Sequence, residues 1–103
     1  MTGTIAYTNF PARDRWNDRL AREVQYTGPA SYVAGGDPIA GSDILGGGEI
    51  YGVYGILSSG SAVRLVFWDY TNQKLQLFVP DTGAEASGDL STFSGTLLFT
   101  LKG

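Results

Sequence analysis

The feature that most constrains this chain is a two-residue apolar alternation running through its C-terminal half. Ala62–Tyr70 (AVRLVFWDY) sets Val63, Leu65 and Phe67 on one side and Arg64, Val66, Trp68 and Tyr70 on the other. Lys74–Val79 (KLQLFV) aligns Leu75, Leu77 and Val79, and Thr96–Lys102 (TLLFTLK) aligns Leu97, Phe99 and Leu101. Successive side chains of a strand point to opposite faces, so each run predicts a β-strand. The polar link Tyr70-Thr71-Asn72-Gln73 joins the first two as a hairpin. A further strand is expected over Ile50–Leu57, where Gly52 and Gly55 mark a bulge or a bend. No stretch after position 23 carries a helical stripe.

An all-β fold follows: a small antiparallel β-sandwich or open barrel of about five to seven strands. The 103 residues suffice for one domain and its core. The 15 glycines, grouped as Gly35-Gly36 and Gly46-Gly47-Gly48, suit short strands and tight turns. Residues 27–48 read as loops around a brief Tyr32-Val33 strand, and 81–91 as a polar loop after Pro80. Long loops of this kind often make contacts. Residues 1–22 are expected to form an N-terminal extended arm, and residues 23–103 the β domain. Within the arm, Trp16 and Leu20 have helical spacing. Asp14 and Asp18, like Arg15 and Arg19, form like-charged pairs four apart that disfavour a helix. A short helix and an extended segment both remain open there.

The 62–70 strand is apolar on both sides, a pattern of strands covered on both faces. The Val63/Leu65/Phe67 side is expected to be core, so that Phe67→Asp would unfold the domain by burying an unpaired charge. The second cover would be the N-terminal region or another subunit.

Composition removes several classes of function. Four of seven basic residues (Arg13, Arg15, Arg19, Arg22) are interleaved with Asp14, Asp18 and Glu23, leaving three basic against seven acidic residues afterwards. With a net charge of −3, the chain lacks the basic footprint of a nucleic-acid binder. Cysteine and histidine are absent, which excludes disulfides, the usual thiolate or imidazole metal sites, and the commonest nucleophile–base pairs. Asp81, Glu85 and Asp89 recur every fourth residue, but Gly83 and Gly88 place them on a loop, and no calcium-loop pattern surrounds them. No catalysis, cofactor or metal is expected. There is no signal-peptide pattern and no apolar run near 18 residues, so a soluble protein made in the cytoplasm, without membrane contact, is expected.

Aromatic residues make 13% of the chain and supply the candidate contacts: Phe10, Trp16, Tyr51, Tyr54, Trp68 and Tyr70. Exposed in one plane, the strand aromatics would suit a sugar or a protein surface; packed inside, they fill a core.

Ordered motifs add to this reading. Val24–Asp37 (VQYTGPASYVAGGD), Ile44-Leu45-Gly46, Val66–Phe78 (VFWDYTNQKLQLF), Gly83-Ala84-Glu85, Gly88-Asp89-Leu90-Ser91 and the strand Thr96–Lys102 occur in sequence. Together they resemble small capsid decoration (cement) proteins of tailed bacteriophages, with residues 1–22 matching only as a variable arm. The resemblance implies a virion protein on the capsid surface, contacting the major capsid protein. It also implies a β-rich homo-oligomer, often a trimer, without cofactor or catalysis. Gly46-Gly47-Gly48 followed by Tyr51 and Tyr54 departs from that pattern. A carbohydrate-binding or receptor-contacting module, or a neck or tail adaptor, are the other readings.

Overall fold

The computed structural model describes residues 3–7, 13–16, 19–44 and 48–102, with Tyr7, 13–16 and 19–20 described through their backbone. The described residues form a single antiparallel sheet of nine strands, curled into a half-barrel. In chain order these are β1 (Thr4–Tyr7), β2 (Arg13–Trp16), β3 (Arg19–Thr27), β4 (Asp37–Pro38), β5 (Ile50–Tyr54), β6 (Ile56–Ser59), β7 (Ala62–Asp69), β8 (Lys74–Phe78) and β9 (Ser94–Lys102). The strands run β1-β3-β9-β6-β7-β8-β4 across the sheet, with β2 also on β3 and β5 also on β9. The all-β expectation and the 62–79 hairpin are borne out, and the strand number exceeds the one expected.

The C-terminal strand is the spine. Its nine residues pair with all of β3 on one side and with β5 and β6 on the other. Alternation sends Leu97, Phe99 and Leu101 inward, all fully buried beside Val24 and Tyr26 of β3. Each such side chain contributes about 1.5–3 kcal/mol through burial. The curl comes from the run Ile50–Ser59, split where Gly55 takes φ 141°. A Cβ there would lie 2.7 Å from Leu97 Cδ2 and 2.9 Å from the Thr96 carbonyl, so only glycine lets the chain turn from β5 to β6 against β9. A register shift between Ile50 and Gly52 adds a bulge.

Loops complete the core. Tyr32, Ile39, Ile44, Ala86, Leu90 and Phe93 come from outside the named strands and join one cluster with the inward strand residues. The described residues 28–44 therefore act mainly as a covering layer. A curled sheet leaves its concave side wet unless other apolar side chains fill it. Tyr32 makes a single bridge to Gly88 rather than a strand, and a 3-10 turn spans Gly41–Ile44.

The described N-terminal residues 4–7, 13–16 and 19–22 are strands of the sheet. β1 pairs with the second half of β3 (Thr4 with Thr27 through Tyr7 with Val24), and β2 forms a hairpin with its first half. At the described residues 13–16 and 19–22 paired strands stand in place of a helix, because β3 offers a long edge opposite β9 and the like-charged pairs give a helix nothing. The division expected between residues 22 and 23 falls inside β3.

The inward face of β7 is the reverse of the expected one. Trp68 is buried, whereas Leu65 and Phe67 are exposed. The cause lies in register: Trp68 faces Leu75 and Val66 faces Leu77, and opposed residues of an antiparallel pair share a face. Since Leu75 and Leu77 are fully buried, Val66 and Trp68 go inward with them. Arg64, on the same side, places its guanidinium 4.5 Å from the Phe93 ring centre, a cation–π contact that makes the charge tolerable there.

Candidate functional site

Two surface features stand out. The first is the outer face of β6, β7 and β8. Ile56 lies opposite Leu65, and Leu65 opposite Phe78, forming an apolar row across three strands. Ile56 is 53%, Leu65 43% and Phe67 57% exposed, which is high for such residues on adjacent strands. Phe67 meets Phe78 edge to face, with ring centres 6.5 Å apart and planes at 79°. Beside them lies a recess of about 460 Å³, walled by Leu65, Phe67, Gln76, Phe78 and Gly83. Tyr54, itself exposed, lines a second recess with Phe67 and so extends the apolar surface toward β5. At the far end of the hairpin Asp69 is cross-strand from Lys74, a neutralised boundary.

The second feature is at that far end. Tyr51, in the bulge of β5, lies beside Tyr70, the first residue after β7, with ring centres 6.5 Å apart and planes at 24°. The neighbouring Glu49 carboxylate raises the Tyr70 phenol's pKa above its ordinary value. Gln73 holds the arrangement together. Its Oε1 accepts from the Ile50 N–H at 3.0 Å, and its Nε2 donates to the Ile50 carbonyl at 3.0 Å and the Tyr70 carbonyl at 2.8 Å. The clasp compensates for the left-handed backbone of Gln73, φ 54°.

The sequence-derived contact residues divide accordingly. Tyr54 and Tyr70 are exposed, and Tyr51 is half-buried against Tyr70. Trp68 is a core residue rather than a surface contact: its Nε1 donates to the Ile50 carbonyl at 3.0 Å. Trp16 is on β2 opposite Arg19, and its side chain lies outside the described residues, as does all of Phe10. Ile56, Leu65, Phe67 and Phe78 were missed as surface residues because alternation separates two faces without saying which is inside. The buried pattern of β8, read through the hairpin register, carried the missing signal.

The remaining ionisable groups are structural in their surroundings. The Tyr26 hydroxyl donates to Asp37 Oδ2, and the Tyr32 hydroxyl to Glu85 Oε2, both at 2.6 Å. Burial first, and then these carboxylates, push both phenols well above the ordinary tyrosine range. Glu85 also accepts from the Gly35 N–H, and Asp89 accepts from Ser91. Among the described residues no three Asp or Glu side chains gather as a metal site would require. No helix of the described residues is long and apolar enough to cross a membrane.

Comparison of the chain with known protein families, with curated proteins and with solved structures finds no match.

Proposed function

We propose that the protein is a capsid decoration protein of a tailed bacteriophage, binding the shell through the outer face of β6–β8. The observation that carries the reading is the apolar row Ile56–Leu65–Phe78, exposed at Ile56 and Leu65 and half-buried at Phe78, with exposed Phe67 beside it, on a domain whose core is already filled from the other side. A face of paired strands is rigid before binding, so little ordering entropy opposes its contact. The ordered sequence resemblance points the same way and supplies the partner, the major capsid protein. It also supplies the oligomer, a trimer at a threefold site of the capsid surface. Each contact can then be modest, because several copies engage a symmetric lattice together. The exposed aromatics equally underlie the competing reading, a receptor- or sugar-contacting virion module.

Co-sedimentation with expanded shells of the major capsid protein tests this. Saturable binding at a symmetric stoichiometry, lost in a folded Phe67→Ser variant, is the expected result. Absence of binding by the folded wild-type protein would overturn it, and a sixfold or twelvefold ring would favour a neck or tail adaptor.

A further inference from the structure

Phe67 and Phe78 share the recess of the outer face with Leu65, Gln76 and Gly83, and no charged side chain lines it. At about 460 Å³ it falls within the roughly 300–1,000 Å³ of small-molecule sites, more than one aliphatic side chain fills. Gln76 is its one polar side chain. The Gln76 Nε2 donates to the Gly35 carbonyl at 3.1 Å, whereas among the described residues its Oε1 receives no hydrogen bond and is open to solvent. That amide is held from behind. The Gly35 N–H donates to Glu85 Oε2 at 2.9 Å. Gly36, at φ 117°, passes so near β8 that a Cβ would lie 2.8 Å from the Leu75 carbonyl. The loop carrying the Gly35 carbonyl is thereby fixed against β8. Because an amide group is planar, fixing Nε2 also sets where the spare Oε1 points.

We infer, on the reading that this face is the contact surface, that the recess seats a tryptophan side chain of the partner protein. Its indole N–H is donated to Gln76 Oε1, and its ring packs on Phe67 and Phe78. The chemistry of the recess selects among anchors. Tryptophan, tyrosine and arginine are the side chains that most often carry binding energy at protein interfaces. An arginine would lose its water with no carboxylate in the recess to replace it. A tyrosine hydroxyl both donates and accepts, whereas an indole N–H only donates and so matches a site that offers one acceptor. A leucine would cut Oε1 off from water without giving it a partner, which lowers affinity. A third ring also extends the edge-to-face pair that Phe67 and Phe78 already form.

The test is an NMR titration of the ¹⁵N-labelled protein with N-acetyl-tryptophanamide, beside its N-methylindole analogue, N-acetyl-tyrosinamide and N-acetyl-leucinamide. The tryptophan probe is expected to shift the Leu65, Phe67, Gln76 and Phe78 amides saturably at about millimolar concentration. Methylating the indole nitrogen, which removes the donor, should weaken binding about threefold or more. In Gln76→Met, which keeps the bulk and loses the acceptor, the two indole probes should bind equally. Phe67→Ser should weaken tryptophan binding about tenfold or more. The proposal is overturned if the tryptophan probe at about 20 mM moves none of these amides, if the tyrosine or leucine probe binds as tightly, or if methylation changes nothing. It is equally overturned if a second copy occupies the face, seen as concentration-dependent broadening of the same amides without any probe. Shell binding is read separately. A protein that sediments with shells yet ignores the probe keeps the contact surface and loses the anchor, and one that takes up the probe without binding shells does the reverse.

Discussion

The Tyr26 hydroxyl donates a 2.6 Å hydrogen bond to Asp37 Oδ2 inside the core, and the Gly3 N–H donates to the same oxygen at 2.9 Å. Three separate parts of the chain, β3, the short edge strand β4 and the N-terminal segment, are thereby tied at one buried carboxylate. Replacing Asp37 with Ala leaves two donors stranded, at about 1–3 kcal/mol each. Asp37→Ala is therefore expected to lose about 2–6 kcal/mol in urea denaturation, and Tyr26→Phe about 1–2. Losses below about 0.5 kcal/mol for both would show that the tie is not stabilising.

The same bond sets the response to alkali. Tyr26 has its pKa raised by burial and then by Asp37, so the folded state keeps a proton that the unfolded state releases near pH 10. Its contribution is complete below that pH and declines as pH climbs toward the higher folded value. Unfolding free energy should fall by up to about 1.4 kcal/mol per pH unit above pH 10 for this group. Tyr32, raised in the same direction, steepens the decline. Denaturation at a series of alkaline pH values, in wild type and Tyr26→Phe, reads the slope. An equal slope in the two proteins would place the effect elsewhere.

The reversed face of β7 makes a contrast between neighbours. Phe67→Ser removes an exposed ring and one edge-to-face contact, and should cost no more than about 1.5 kcal/mol. Leu77→Ala, at a fully buried position, should cost about 2–5 kcal/mol. Thermal melts of the two variants give the order, and a larger loss for Phe67→Ser would restore the opposite face as core.

Gly55 is the corner on which the curl depends. Gly55→Ala must hold φ 141° and push a Cβ against Leu97 and Thr96, so a loss of about 2 kcal/mol or more is expected. A melting temperature unchanged from wild type would mean that the corner relaxes without strain.

Much of this architecture was legible in the residues. β8 and β9 alternate cleanly, the polar link Tyr70–Gln73 marks the hairpin, and Gly52 and Gly55 announce the irregular β5–β6 run. The N-terminal strands were not legible, since short polar segments form strands only when a partner edge such as β3 accepts them. The candidate sites were half-legible. Tyr51, Tyr54 and Tyr70 were visible as strand aromatics, while the roles of Glu49 and Gln73 depend on contacts across the fold.

The sequence by itself determined that the chain would be an antiparallel β protein without disulfides, because period-two alternation is local and the absence of cysteine is absolute. Only the tertiary structure decided which side of β7 is buried, and therefore whether Trp68 or Phe67 meets the surroundings. Alternation distinguishes two faces but ranks them only when one is polar. Here both are apolar, and the choice falls to the register with Leu75 and Leu77 and to the loops that fill a single concave side.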